Sequence, residues 1–150
     1  VKAEPLMICW GVAMWIAAAA SIFDIRRRRI PNRLVAVAGL TGLIAHGLLQ
    51  GSEGLLQSGL GLLVGAAWWC PFWYRRWVGA GDLKLLAVIG SWVGPAPTLP
   101  VFVLSAQLLG AVELVRRGLR CSWQRVPVAP VMLIALILLG GFQKWIQFLR

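Results

Sequence analysis

Acidic side chains are scarce in this chain: 5 Asp+Glu stand against 15 Lys+Arg, and only 13% of its 150 residues are charged. Each carboxylate can therefore be considered individually. Histidine occurs once, at His46, inside an apolar run without an acidic neighbour, which reads as a packing or helix-contact residue. Ser21, Ser58, Ser91, Ser105 and Ser122 have no local His or Lys base arrangement, so no nucleophilic-serine motif is written along the chain. Cys9, Cys70 and Cys121 are isolated and form no C-x-x-C pair. They support neither a zinc site nor a disulfide framework and read as small apolar fillers. Two aspartates, Asp24 and Asp82, could hold a divalent cation, yet hard cations prefer more oxygen ligands than are visible here, so no metal and no cofactor is expected.

What the chain has in abundance is apolar sequence, 59% of the residues. A soluble core is the wrong picture for such a composition. The expected fold is all-α, a single polytopic membrane domain over residues 1–150 with about six transmembrane helices. The apolar runs are Leu6 to Phe23, Leu34 to Gln50, Leu55 to Tyr74, Trp77 to Gly94, Leu99 to Val115 and Val128 to Phe148. The net charge of +10 could suggest nucleic acid, but the basic residues lie in short clusters between runs of membrane length. Topology is the better use for them, and no nucleic-acid partner is expected.

The first run could pass for a signal peptide, since Ala17 to Ala20 and Ser21 resemble a cleavage site. Charge argues otherwise. Lys2 and Glu4 cancel before the run, whereas Arg26, Arg27, Arg28, Arg29 and Arg33 follow it, so the N-terminus belongs outside. On that layout Arg75, Arg76, Lys84, Arg116, Arg117, Arg120 and Arg125 also face the cytoplasm, making 12 of the 15 basic residues. Trp68, Trp69, Trp73 and Trp77 gather near one interface and read as a headgroup belt.

Topology then selects among the carboxylates. Glu4 and Glu53 fall outside, and Glu113 has Arg117 at i+4 as an ion-pair partner. Asp24 and Asp82 are separated by two spans, so both lie on the cytoplasmic side. Asp24 alone could simply pair with an arginine beside it. Asp82 is harder to dismiss. If its helix begins only at Leu83, the run to Gly94 is 12 residues, roughly 18 Å, short of a bilayer core of about 30 Å. A helix from Trp77 restores the length and sinks Asp82 more than one turn into the membrane, where an ionisable group calls for a function. Gly79 and Gly81 before it would let a backbone or a bound peptide come close.

Two carboxylates meeting in a poorly solvated site share a proton and titrate as a pair. The ionised one can take a proton from water while the protonated one polarises a peptide carbonyl, the division of labour in aspartic proteases.

These residues resemble the type IV prepilin peptidases, membrane aspartic proteases with a Gly-x-Gly-Asp motif. Gly79-Ala80-Gly81-Asp82-Leu83-Lys84-Leu85-Leu86 is similar to the family's GxGDxKLL signature, and Trp92-Val93-Gly94-Pro95 to its WxGP. Phe23-Asp24-Ile25-Arg26 with Ile30-Pro31-Asn32 resembles the other aspartate motif, and Arg125-Val126-Pro127-Val128-Ala129-Pro130 the C-terminal Val-Pro-Tyr-Ala-Pro element. Val128 departs from the usual Tyr, and Ala135 stands where Gly is often found.

The resemblance implies a multi-pass peptidase of the bacterial inner membrane that removes the basic leader from prepilins or pseudopilins, cutting after a Gly. It implies Asp24 and Asp82 as the catalytic pair, with Gly79, Gly81, Lys84, Pro31, Asn32, Pro127 and Pro130 as motif residues. Lys84 lies two positions from Asp82 and should not share its helix face, so it reads as a headgroup anchor. The paired C-x-x-C domain of the larger N-methylating members is not found, so the chain resembles the compact peptidases of Flp-type, tight-adherence pili. The basic loop would repel a basic leader, and anionic lipid is its simpler partner. Two other readings stand beside this one: a non-catalytic membrane subunit of a pilus or secretion assembly, and a small transporter with Asp82 as proton relay.

Overall fold

A computed structural model describes residues 3–27, 30–118 and 128–148, with side chains at 7–27, 30–116, 118 and 128–141. The regular elements among the described residues are helices: α1 (Ala3–Arg27), α2 (Asn32–Tyr74), α3 (Ala80–Val93), α4 (Pro95–Gly118) and α5 (Val128–Phe148). Pro31 ends the first connection in an extended conformation, φ −63° and ψ 128°, as a proline without a donor N–H should at a helix entrance.

The two apolar runs from Leu34 to Gln50 and from Leu55 to Tyr74 belong to one 43-residue helical stretch, broken at Gly51, whose φ of 67° and ψ of −145° suit glycine alone. The break between the two runs thus lies at a single residue. Contacts with α3 show that the stretch doubles back there. In the first limb Asn32 meets Lys84, Gly39 meets Val88, Gly42 meets Ser91 and His46 meets Trp92, so this limb runs parallel to α3. In the second, Ser58 meets Ser91, Gly61 meets Gly90 and Gly65 meets Leu86, so that limb runs antiparallel.

Glycine allows this sandwich. A Cβ at Gly61 would overlap the Gly90 carbonyl, one at Gly90 would overlap the Gly61 carbonyl, and one at Gly65 would sit 2.5 Å from the Leu86 oxygen. Helix backbones therefore touch directly at Gly61 and Gly65. Residues Leu85 to Val93 are all buried, which makes α3 the central helix.

The expected spanning helix from Trp77 is not present. The second limb of α2 ends in a reversal in which Arg76 takes φ 59°, Arg76 N–H donates to Trp73 O and Trp77 N–H to Phe72 O, both at 2.9 Å. This is the double bond of a left-handed helix C-cap, with arginine in glycine's usual place. Helix α3 then starts at Ala80 and has 14 residues, roughly 21 Å. It is too short to cross a bilayer core of about 30 Å.

A buried short helix must satisfy the carbonyls of its last turn. Here α2 does so: Ser58 Oγ donates to Ser91 O at 2.8 Å and His46 Nε2 lies 3.0 Å from Trp92 O. Gly94, at φ 84°, returns its N–H to Gly90 O at 2.8 Å, and Pro95 opens α4. The Trp92 indole donates to Ala38 O at 2.8 Å, tying α3 to the first limb.

Helices α1 and α5 pack antiparallel. Gly140 lies against Met14 and Trp10 at one end, and Asp24 meets Ala129 at the other. On the opposite flank Phe102 of α4 contacts Trp68, Trp69 and Phe72 with ring centroids 5.3–5.8 Å apart. Trp69 is fully buried in this cluster, so it is a core residue and not part of a headgroup belt; Trp68, Trp73 and Trp77 remain exposed.

Outward faces are apolar: Trp15, Leu48, Leu63 and Leu114 are each more than 60% exposed. Water would not tolerate such a surface, whereas lipid matches it. Met7–Arg27, Asn32–Tyr74 and Pro95–Arg116 are helical and apolar over lengths sufficient to cross a membrane. The protein is an all-helical membrane protein.

Candidate active site

Asp82 occupies the third position of α3 and is buried. Its depth differs from the sequence expectation: it belongs to the first helical turn, and protein, not distance into the helix, covers it. Gly79 precedes the helix in an extended conformation, φ −78° and ψ 156°. Its N–H donates to Asp82 Oδ2 at 2.9 Å, the carboxylate half of a capping box. A negative charge there is also favoured by the helix N-terminus. Gly79 earns its place by proximity: a Cβ at this position would lie 3.1 Å from Asp82 Oδ2 and crowd the carboxylate.

Asp24 lies in the last turn of α1 and is half-buried. Its Oδ2 accepts the N–H of Ala129 at 3.2 Å, across 105 positions of sequence. Ala129 is the second residue of α5, so Asp24 satisfies one of the donors that a helix N-terminus leaves open. Pro130 follows and has no N–H to satisfy, which suits the first turn of a buried helix. Asp24 thus makes a contact between helices. Pro127 lies outside the described residues, as do Arg28, Arg29, Arg120 and Arg125. Glu113 pairs with Arg116 at 2.5 Å; the side chain of its expected partner Arg117 is outside the described set.

The Ile-Pro-Asn segment closes the arrangement. Ile30 packs on Gly81, where a Cβ would lie 3.5 Å from the Ile30 Cβ, an ordinary contact. Asn32 Oδ1 accepts from Lys84 Nζ at 3.0 Å. Lys84 is exposed and has a protein partner, so that beyond the expected headgroup anchor it forms a link between two motifs. The Lys84 side chain thus reaches the Ile-Pro-Asn segment that follows Asp24.

Asp24, Ala129, Ile30 to Asn32 and Gly79 to Lys84 therefore all gather at one end of the bundle. Each carboxylate is held by a backbone N–H at a helix N-terminus. A carboxylate is a group that can exchange a proton with water. Among the described residues no group of three His, Cys, Asp or Glu side chains comes together to hold a metal ion. The polar contacts that fix α3 from behind, through His46, Ser58 and Trp92, carry no local sequence signal apart from the need to satisfy the end of a short buried helix.

Comparison with known proteins identifies a family. A model of the type IV leader peptidase family matches residues 11–115. The chain is 32% identical to a prepilin leader peptidase/N-methyltransferase of Stutzerimonas stutzeri, over 97% of this chain and 53% of the relative. It is likewise 32% identical to the protein of that name from Pseudomonas aeruginosa, over 95% and 52%. A type 4 prepilin-like proteins leader peptide-processing enzyme of Escherichia coli is 33% identical over 73% of this chain and 45% of its own length. The chain thus spans about half the length of the curated relatives it matches. No solved structure matches it. With the family model covering most of the chain and its motifs meeting at one end of the helical bundle, the chain belongs to the type IV leader peptidase family.

Proposed function

We propose that this chain is a membrane aspartic endopeptidase that cleaves the basic leader from type IV prepilin or pseudopilin precursors, after a Gly, at the cytoplasmic face of the bacterial inner membrane. What supports this reading is the placement of Asp24 in the last turn of α1 and of Asp82 in the first turn of α3, each accepting an N–H at a helix N-terminus, with the Ile30-Pro31-Asn32 segment that follows Asp24 packed on the residues around Asp82. Six membrane-embedded segments, counting the two limbs of α2 separately, agree with the alternation of basic and neutral connections and with an outside N-terminus. The short helix α3 needs no lipid contact along its length, because its neighbours enclose it.

In the reaction the ionised carboxylate accepts a proton from water as the water oxygen bonds to the scissile carbonyl carbon. The protonated carboxyl donates to the carbonyl oxygen. The tetrahedral gem-diol then collapses: one hydroxyl gives its proton back to the ionised member of the pair as the carbonyl re-forms and the C–N bond breaks, and the departing nitrogen takes up a proton from the other member.

The test is a cleavage assay in liposomes on a substrate with a basic leader, a Gly and a hydrophobic stem. Wild type should cut after the Gly, and Asp24→Asn and Asp82→Asn should each lose about 10²–10⁴-fold in rate, the usual contribution of a general acid or base. Substantial turnover by either variant would remove that residue from the pair. Inserted, folded wild type that cuts none of several pilin-like substrates would favour a non-catalytic subunit of a pilus or secretion assembly.

A further inference from the structure

Lys84 is the candidate that the reaction above leaves unused. It is exposed and yet makes a specific hydrogen bond 52 positions back, to the Asn32 side chain. Asn32 opens α2 immediately after Ile30 and Pro31, and Ile30 packs on Gly81, the residue before Asp82. Two contacts thus fasten the connection that leaves Asp24 to the turn that begins α3, one apolar and one polar. The segment between them is short and rigid, because Pro31 has a fixed φ. From Asp24 the chain has only residues 25–29 before this clamp, so the position of Ile30 on Gly81 limits where the end of α1 can sit.

We propose that Lys84 is a positioning residue: its bond to Asn32 clamps the Ile30-Pro31-Asn32 segment onto the start of α3 and so sets the separation of Asp24 from Asp82. The proposal rests on the peptidase reading for its effect on turnover, but the clamp itself is a statement about geometry. The charge of the donor matters, since an ammonium on an amide oxygen makes a stronger bond than a neutral pair would. Asparagine is suited to the other side because it accepts from Lys84 without neutralising it.

Two measurements test it. The first reads geometry without cleavage. In a background with the native cysteines replaced, Ile30→Cys and Gly81→Cys should form a disulfide readily, because their Cβ atoms would lie 3.5 Å apart, within the span of about 3.5–4.5 Å that a disulfide needs. Adding Lys84→Met should slow cross-linking several-fold; an unchanged rate would overturn the clamp. The second reads the reaction. Lys84→Met and Asn32→Ala should each lower kcat about tenfold with KM nearly unchanged, and the double variant should be no worse than the poorer single one, as expected of two residues acting through one bond. Asn32→Asp, which keeps an acceptor opposite Lys84, should retain activity. Additive losses, or a failure of Asn32→Asp to retain activity, would overturn the proposal. Because the cross-link does not depend on turnover, a clamp that holds in an inactive protein would count against the peptidase reading alone.

Discussion

At the scale of single residues, the two glycines flanking Ala80 divide a task that the motif presents as one. Gly79 has an ordinary extended conformation, so alanine suits its backbone, but the new Cβ would stand 3.1 Å from Asp82 Oδ2. Gly79→Ala should therefore leave thermal unfolding nearly unchanged and lower kcat about tenfold, on the order of 1.4 kcal/mol in barrier. A lowered unfolding temperature with intact turnover would contradict this account. At Gly81 an alanine meets only ordinary contact with Ile30. A loss of activity in Gly81→Ala without a loss of stability would thus report the approach of substrate, the role first expected of both glycines. The Gly-x-Gly spacing was legible; which glycine serves the carboxylate was not, because that depends on the direction the Asp82 side chain takes.

At the scale of elements, α3 depends on backbone contact with the second limb of α2. Gly61→Ala or Gly90→Ala would force a carbonyl of the facing helix away. Overpacking of this kind costs about 1–3 kcal/mol, and both variants should unfold at lower temperature in detergent. Gly59→Ala provides the contrast, since a Cβ there meets nothing within 4 Å. It should be neutral or slightly stabilising, because alanine is the better helix former. Equal unfolding temperatures for Gly59→Ala and Gly61→Ala would refute the backbone contact. The same packing explains why reading Trp77 to Gly94 as a spanning helix failed. That reading assumed every apolar run must meet lipid at both ends, whereas α3 is enclosed by protein and ends on the side chains of His46 and Ser58. Trp69 was misread for a related reason: an aromatic near a membrane interface suits either headgroups or a cluster, and only Phe102 on α4 decides for the cluster.

At the scale of the whole molecule, the doubling back at Gly51 puts the two ends of each α2 limb on opposite sides of the bundle. Ser52 and Arg75 are both exposed and lie at the two ends of the second limb. In a background without native cysteines, Ser52→Cys should react with a membrane-impermeant thiol reagent in intact cells from which the outer barrier has been opened. Arg75→Cys should react only after the inner membrane is broken. The reverse pattern would invert the orientation and, with it, the cytoplasmic assignment of Asp24 and Asp82.

Sequence by itself determined the all-helical membrane character, the apolar segments, the segregation of basic residues and the identity of the two aspartates worth testing. Those properties are written locally, in the lengths of apolar runs, in charge counts and in motifs a few residues long. Tertiary structure alone decided where α3 begins, that Asp82 is covered by protein in its first turn, that Asp24 reaches Ala129, and that Lys84 answers Asn32. Each of these is a contact, or the result of contacts, between residues far apart in the chain. No local periodicity records such pairs, because what selects them is the satisfaction of helix ends and the close approach of glycine-bearing backbones once the bundle has formed.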